Sequence, residues 1–525
     1  MITFVRPAVR LIRRGLLIML ILVPGLSAIV VVQYRYNFAD PAEVGSLQVL
    51  AQNPAIRVLF GVPVALDNAG GFTVWRTGTF AVVILASWAF LTATRITRGE
   101  EQSGRWALLL TGRLRLPAVV AQHLLVLLSV QFLVGSALAL AFAVAGADTR
   151  GALIYALGVT LAAMLFGAVG TLCAQLVDDR RTASGITAAV LGLVLLLRMI
   201  ADGIERFGWL AWLTPFGLLA EAEPYAANRL GPLAVMAVMA STVAGLAVVA
   251  AAHRDVGSGL VTGSSTRPGR FLLLRSVPGF AIRRVLPSAF GWAAGLCTYF
   301  LVIGMLARSL TEFLRTNPRF ADLAAQAGFA GLATVQGYVA AMFLLLAIPL
   351  GVFAASRLSY DAADEADRRL TAVFSRPRPR SHWALVQIVV IIGAVVLLAM
   401  VSGAAAATGI ALAGADLRLT DAFAGALNVV PVAALCLGAA QLAIGWAPQA
   451  VLALGATPAV GGFLLTVLVD TFDWPDWLGR LSPFAYLASV PATAPNWAGA
   501  AGLVTTSVLL AGLGIAGFAR RDLRG

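Results

Sequence analysis

The chain alternates between long apolar runs and short polar loops along its whole length. Each run approaches the roughly 20 apolar residues that a helix needs to cross the hydrocarbon core of a membrane. The pattern predicts about twelve membrane-spanning helices, at approximately 15–33, 78–96, 117–146, 151–177, 184–201, 230–252, 287–308, 336–356, 384–413, 420–447, 449–470 and 498–519. The limits of the ninth to eleventh spans are the hardest to place, because the chain is almost continuously apolar between 410 and 460.

Composition favours the same fold class. Of the 525 residues, 60% are hydrophobic and 12% are charged, whereas soluble domains contain about 25% charged residues. This balance excludes a soluble enzyme, a disordered protein and a collagen-like fibre. Cys173, Cys297 and Cys436 lie inside apolar runs and have no metal-binding or disulfide spacing. We therefore predict an all-α polytopic membrane protein without a metal site.

The 38 basic residues are all arginine, because the chain contains no lysine. Most of them fall at the two chain ends and in alternate loops, and short arginine-rich loops stay in the cytoplasm. The pattern predicts a protein of the cell membrane with both termini cytoplasmic and an even number of spans. The net charge of +13 is thus a topology signal, and arginines dispersed in this way are not typical of a nucleic-acid-binding surface.

Short sequence matches recur in the same order in the two halves of the chain, at offsets between 264 and 270 residues. The matching pairs are Ile12-Arg13-Arg14 with Ile282-Arg283-Arg284, Asn53-Pro54 with Asn317-Pro318, Glu101 and Arg105 with Glu365 and Arg369, Leu213-Thr214-Pro215-Phe216 with Leu481-Ser482-Pro483-Phe484, and Arg254-Asp255 with Arg521-Asp522. They predict two parallel six-helix repeats of the same orientation. The expected organisation is a first half at 1–256, a cytoplasmic linker at 257–270 and a second half at 271–525.

The amino-terminal segment has an amphipathic pattern. Its arginines, Arg6, Arg10, Arg13 and Arg14, recur at helical spacing, and apolar residues occupy the opposite face. Such a segment predicts an interfacial helix before the first span, although an ordinary basic flank of a span has the same composition.

The loops after the second and eighth predicted spans contain matched charges. Glu101 and Arg105, and likewise Glu365 and Arg369, are spaced at i, i+4, which stabilises a helix by about 0.2–0.5 kcal/mol. Each loop then becomes apolar. Two interpretations are open here: a solvated turn with a salt bridge, or a short helix that docks a cytoplasmic partner.

The missing lysine restricts the chemistry of the chain. A phosphate-binding P-loop requires the lysine of G-x-x-x-x-G-K-[ST], so any ATP hydrolysis would belong to another polypeptide. An ion-coupled secondary transporter is an alternative, but the middles of the apolar runs contain almost no acidic residues, and Asp202 lies where it would pair with Arg198. A membrane enzyme is a weaker alternative, because the outer loops contain no nucleophile–base arrangement.

The sequence R-x-x-R-G-E-E-x-x-G-R-x-x-L-L-L-x-G-R at residues 95–113 resembles the corresponding loop of ABC-2-type exporter permeases. The Leu-Thr/Ser-Pro-Phe turns at 213–216 and 481–484 and the terminal Arg-Arg-Asp at 520–522 are similar to that superfamily as well. More narrowly, the chain resembles the fused two-half permeases of actinobacteria that export tetronasin or polyketide antibiotics, which include mycobacterial multidrug efflux permeases.

The resemblance implies a permease powered by two copies of a separate ATP-binding subunit, which would hold ATP and Mg²⁺. The residues that it places on the coupling segments are Arg98, Glu100, Glu101, Arg105, Asp364, Glu365 and Arg369. A cavity between apolar halves suits hydrophobic or amphipathic compounds, so export of drugs or antibiotics is the expected activity. Export of a lipid or a polysaccharide is the alternative within the same class of transporter.

Overall fold

The computed structural model describes residues 2–37, 54–112, 114–261, 276–318, 331–366, 379–472 and 474–521, together with residues 45, 48, 51, 273 and 274. Within these residues the regular secondary structure is helical, and no strand is present. The long helices are α1 (Ile2–Asn37), α2 (Ala69–Thr94), α3 (Leu116–Val144), α4 (Thr149–Leu176), α5 (Arg180–Gly203), α6 (Gly231–Ala252), α7 (Val277–Thr316), α8 (Val335–Ala366), α9 (Arg380–Leu412), α10 (Leu419–Asn428 followed by Val430–Trp446), α11 (Val451–Phe472) and α12 (Trp497–Arg520). The shorter helical segments are Pro54–Phe60, the π-helical turn Arg95–Gly99, Glu100–Gln102, Arg105–Leu110, the 3-10 helix Glu205–Leu213, Pro215–Glu221, Asp476–Gly479 and the 3-10 turn Pro483–Tyr486.

Among the described residues, eleven helices are long and apolar enough to cross a membrane: α1 to α10 and α12. The prediction of an all-α polytopic membrane protein is confirmed. The span predicted at 449–470 coincides with α11, whose apolar stretch Val451–Thr466 is shorter than the other eleven.

Polar side chains at the starts of several helices explain where those helices begin. The side-chain oxygen of Asn68 accepts a hydrogen bond from the backbone N–H of Gly70 at the start of α2, at 2.8 Å. Asp148 does the same for Gly151 at the start of α4, and Asn496 for Gly499 at the start of α12. Each cap satisfies a backbone donor that the first turn of a helix leaves without a partner.

The chain divides into two compact units, Met1–Pro268 and Gly269–Gly525. In the first unit, α4 packs against α2, α3 and α6, and its buried side chains Tyr155 and Phe166 belong to the main apolar core. In the second unit, α7 packs against α9 and α10 packs against α12.

Helices α7 and α9 approach each other through glycine. A Cβ atom on Gly304 would lie 2.5 Å from the carbonyl oxygen of Ala406, and a Cβ on Gly409 would overlap the carbonyl oxygen of Leu301. Small residues let the backbones of membrane helices pack this closely. This pair of helices therefore depends on the absence of side chains at both positions.

The repeated Leu-Thr/Ser-Pro-Phe sequence forms an N-capped helical turn in each unit. The Thr214 hydroxyl accepts from the N–H of Gly217 at 3.0 Å, and the Ser482 hydroxyl accepts from the N–H of Phe484 at 3.2 Å. Both capping residues are fully buried. The recurring motif therefore marks a recurring local structure.

The amphipathic amino-terminal segment is continuous with the first span. A single helix, α1, runs from Ile2 to Asn37, and the side chains from Val9 onward are described. Arg10, Arg13 and Arg14 are exposed, whereas Ile12 is buried. The predicted amphipathic pattern is present, but the segment does not form an element separate from the first span.

Candidate functional site

The loop after α2 is a helical segment that turns back onto the first unit. Helix α2 continues through the π-helical turn Arg95–Gly99 and through Glu100–Gln102. The chain then reverses at Gly104, whose φ of +76° is in the left-handed region that favours glycine. It next forms the short helix Arg105–Leu110. We call residues 95–110 the α2–α3 segment.

Trp106 holds this short helix against the first unit. Its side chain is fully buried and packs with Leu116, Val119 and Val120 of α3. Its ring centroid lies 5.4 Å from that of His123. The neighbouring Arg105 side chain is 59% exposed, so the short helix has one buried face and one solvent face.

Glu101 is the centre of a buried ion-pair cluster. Its Oε1 and Oε2 accept hydrogen bonds from Nη1 and Nη2 of Arg254 at 2.6 and 2.7 Å, which is a bidentate pair. Oε2 also accepts from Nη1 of Arg98 at 3.0 Å, and Oε1 accepts from the N–H of Gly257 at 2.7 Å. We call Glu101, Arg98 and Arg254 the first ion-pair cluster.

The two arginines of this cluster are themselves fully satisfied. Arg98 Nε donates to the carbonyl oxygen of Ala174 at 2.8 Å, and Arg254 Nε donates to the side-chain oxygen of Gln175 at 2.9 Å. Both guanidinium groups also donate to the carbonyl oxygen of Ser258, at 3.1 and 3.0 Å. The cluster therefore joins the ends of α2, α4 and α6 at one place.

The residues after α6 close over this cluster. The N–H groups of Leu260 and Val261 donate to the carbonyl oxygens of Gln175 and Leu176, at 3.1 and 2.8 Å. Residues 257–261, the first part of the linker predicted at 257–270, thus pack on the end of α4. Residues 262–270 lie outside the described residues.

The second unit has a matching pair of charges. Arg521, directly after α12, donates through Nη1 and Nη2 to Oε1 and Oε2 of Glu365 at 2.7 and 2.5 Å. Arg284 on α7 donates to Asp361 at 2.8 Å and to Asp364 at 2.5 Å. We call Glu365 and Arg521 the second ion-pair cluster. Of the three acidic residues at the end of α8, Asp361 and Glu365 are buried.

The structure places the residues of the predicted coupling set in two environments. Arg98, Glu101 and Glu365 are buried in the two ion-pair clusters. Glu100, which is half-buried, pairs at 3.1 Å with the exposed Arg105, and Asp364 pairs with Arg284. Arg369 lies outside the described residues.

The i, i+4 pair expected between Glu101 and Arg105 is replaced by other partners. Glu101 pairs with Arg98, three residues earlier, and with the distant Arg254. Arg105 pairs instead with Glu100. The turn at Gly104 interrupts the helix between Glu101 and Arg105, so the regular spacing on which the expectation depended is absent.

Arg254, Arg521 and Arg284 are the residues that sequence reasoning did not assign to this site. In the sequence analysis they served only as evidence for the topology, as basic loop residues, and for the repeat. A signal was nevertheless present: Glu101 and Arg254 are 153 residues apart, and Glu365 and Arg521 are 156 residues apart. Equal separation follows from the repeat itself, but an acidic and a basic residue that recur together in both halves are candidates for an ion pair.

Asp179 supports the α2–α3 segment from the loop between α4 and α5. Its carboxylate accepts from the backbone N–H of Thr182 at 2.9 Å and from the side chain of Gln102 at 3.3 Å. Burial by itself raises the pKa of Asp179, but these hydrogen bonds and nearby Arg181 outweigh it, so that the pKa lies below its ordinary value. The carboxylate is therefore charged at neutral pH.

A second polar feature lies at the other end of α5. Arg198 pairs with Asp202, as predicted, and its Nη1 donates to Thr79 Oγ1 at 2.9 Å. Arg198 and Thr79 border a cleft of about 50 Å³ whose lining includes Trp75 and Phe216. The described residues contain no group of three His, Cys, Asp or Glu side chains that could hold a metal ion.

Comparison with known proteins gives two matches. The model of the C-terminal domain of the multidrug efflux system permease Rv1217c matches residues 274–519. The chain is also 28% identical over 493 residues to the multidrug efflux system permease protein Rv1217c of Mycobacterium tuberculosis (strain ATCC 25618 / H37Rv), an alignment that covers 92% of this chain and 87% of that protein. The predicted resemblance to mycobacterial multidrug efflux permeases is confirmed.

Proposed function

We propose that this chain is the transmembrane permease subunit of an ATP-driven exporter, which moves hydrophobic or amphipathic compounds such as drugs and antibiotics out of the cell. The observation that carries the proposal is the similarity over 92% of the chain to a multidrug efflux permease. The many apolar helices of the described residues are what such a permease requires.

ATP and Mg²⁺ would be held by two copies of a separate ATP-binding subunit. The chain has no lysine and therefore no P-loop. The α2–α3 segment is suited to contact such a partner, because Trp106 and Glu101 fix its inner face. On its outer face Arg105 is exposed and pairs with the half-buried Glu100. In the second unit, Asp364 and Glu365 occupy the corresponding end of α8, and Arg369 follows.

The two faces of the α2–α3 segment suggest different tasks for the proposed coupling residues. Glu100 and Arg105 would contact the ATP-binding subunit directly. Arg98, Glu101 and Glu365 would act from inside by keeping the contact surface rigid. Under this proposal the arginine-rich end and both termini lie in the cytoplasm.

The buried acids argue against the alternative of proton-coupled transport. Within the described residues, the buried acidic side chains are Glu101, Asp202, Asp361 and Glu365, and each forms an ion pair with arginine. A proton relay needs an acid that exchanges its proton during transport, whereas an ion pair with arginine is the usual structural role of a buried acid.

Purification tests the division of labour. The chain would be purified alone and together with the ATPase encoded beside it, and ATP turnover would be measured with and without a hydrophobic dye. We expect turnover only in the complex, with stimulation by the dye. Turnover by the chain alone, or dye transport in vesicles that follows a pH gradient without ATP, would contradict the proposal.

A further inference from the structure

The same long-range pair occurs in both units. In each, the glutamate at the end of the second helix of the unit forms a bidentate bond with an arginine one or two residues after the last helix, as Glu101 does with Arg254 and Glu365 with Arg521. The pair is formed between residues more than 150 positions apart, so it is not a by-product of local helical spacing.

The bidentate geometry restricts movement at these helix ends. Two parallel N–H···O bonds fix both the distance and the relative orientation of a carboxylate and a guanidinium group. Burial of Glu101 and Arg254 reduces competition from water. A displacement of the α2 end is therefore transmitted to the α6 end, and a displacement of the α8 end is transmitted to the α12 end.

We propose that Glu101–Arg254 and Glu365–Arg521 are positioning pairs, which make the last helix of each unit follow the segment that contacts the ATP-binding subunit. The inference rests on the proposed function. Neither arginine touches substrate or nucleotide in this scheme. Each acts through its glutamate. A movement that begins at the ATP-binding subunit is transmitted through Arg254 to α6 and through Arg521 to α12.

The two pairs are not equally supported by their surroundings. Glu101 has a second arginine three residues earlier, Arg98, whereas the residue three positions before Glu365 is Ala362. Ala362 lines a cavity of about 10 Å³ beside Glu365, and the Nε2 atom of Gln441 is buried there without a hydrogen-bond partner among the described residues.

This difference makes the second pair the better one to perturb. The Arg521 side chain is 19% exposed, in contrast to the almost fully buried Arg254. Removal of the Arg521 guanidinium should therefore disturb folding less than removal of the Arg254 guanidinium. The second pair thus allows the effect on coupling to be separated from an effect on stability.

The experiment uses the full chain in complex with the ATPase encoded beside it, in lipid nanodiscs. The variants are Arg521→Gln, Arg521→Lys and Glu365→Gln, and the matched control is Arg520→Gln, which removes the exposed neighbouring arginine. Four quantities are measured: the ATPase that co-purifies, the unfolding temperature, the KM for ATP, and the dye-stimulated kcat together with dye efflux.

For Arg521→Gln and Glu365→Gln we expect normal co-purification and a KM for ATP within about twofold of the control. Dye-stimulated kcat and efflux should fall about tenfold, within the usual range of coupling energies between sites. Arg521→Lys, which keeps the charge but loses the bidentate bond, should be intermediate.

Three results would overturn the inference. Stimulated turnover and efflux in Arg521→Gln equal to those of Arg520→Gln would remove the coupling role. Loss of partner binding or of folded protein in both Arg521 variants, in proportion to lost activity, would show a structural role instead. A wild-type complex without dye-stimulated turnover would contradict the proposed function itself, and this outcome is recognised before any variant is examined.

Discussion

Glu101 is a charged side chain in an unusual place, because a carboxylate in a buried site loses its hydration. Here the loss is offset by two guanidinium groups and a backbone N–H, all within 3.0 Å of the carboxylate oxygens. A buried pair of this kind adds little net stability when compared with an apolar replacement, but it is costly to break from one side.

Replacement of Glu101 by glutamine should therefore be strongly destabilising. It leaves Arg98 and Arg254 buried without a counter-charge, for which the expected cost is about 3–5 kcal/mol. Thermal unfolding in detergent measures the change. Glu100→Gln is the matched control, since Glu100 is less buried than Glu101 and pairs with Arg105, whose side chain is 59% exposed. Equal unfolding temperatures for the two variants would show that the first ion-pair cluster does not stabilise this end of the unit.

Asp179 contributes to the stability of the folded protein in a way that depends on pH. Its pKa in the folded protein is below the value of about 3.9 that an unfolded chain would have. The stabilisation is thus fully present above the unfolded pKa and is lost as pH falls through the folded pKa.

We expect Asp179→Ala to lower the unfolding temperature at neutral pH, because the cap on Thr182 and the bond to Gln102 are lost. The difference from wild type should stay constant down to about pH 5 and shrink below about pH 4. Unfolding scans over this range, with Asp178→Ala as the exposed neighbouring control, provide the measurement. A difference that grows on acidification would have the wrong sign.

At the scale of the helices, hydrophobic length was the most reliable predictor. Runs of apolar residues located the spans, since the membrane requires a helix of nearly fixed length. Length does not reveal where a helix turns. The reversal at Gly104 separates Glu101 from Arg105, and each then pairs with a different residue. The partners Arg254 and Arg521 depend on tertiary packing, which a local pattern does not contain.

The contact between α7 and α9 leads to a further prediction. Gly409→Ala would place a methyl group against the backbone of Leu301 and should separate the two helices. Gly393→Ala, on the same helix but with open space at its Cβ position, should be neutral or slightly stabilising, because alanine favours helix over glycine by about 1 kcal/mol.

The yield of folded protein and its unfolding temperature distinguish these two variants. The expected order is Gly393→Ala equal to or above wild type, and Gly409→Ala well below it. If Gly409→Ala unfolds at the wild-type temperature, α7 and α9 do not meet at this close distance in the membrane.

At the scale of the whole molecule, the orientation deduced from the arginines remains a prediction that labelling can test. Ser103, in the α2–α3 segment, and Ala226, between α5 and α6, are both exposed, and an odd number of spans separates them. In single-cysteine variants of intact cells, a membrane-impermeant maleimide should label Ala226→Cys and spare Ser103→Cys.

Permeabilised cells are the control for this experiment, because both cysteines should then react. Labelling of Ser103→Cys in intact cells would show that the topology is the reverse of the predicted one. It would also place the α2–α3 segment on the wrong side of the membrane for an ATP-binding partner.

The position of Arg254, just after α6, determines where the chain can be divided into two co-expressed fragments. Suppose that the two units were expressed as separate polypeptides. A break immediately after Ala252 would place Arg254 and the backbone at 257–261, which covers Glu101, on the fragment that contains the second unit. A break beyond Val261 would leave both with the fragment that needs them. Two co-expressed fragments divided at the later point should reassemble, whereas those divided at the earlier point should not.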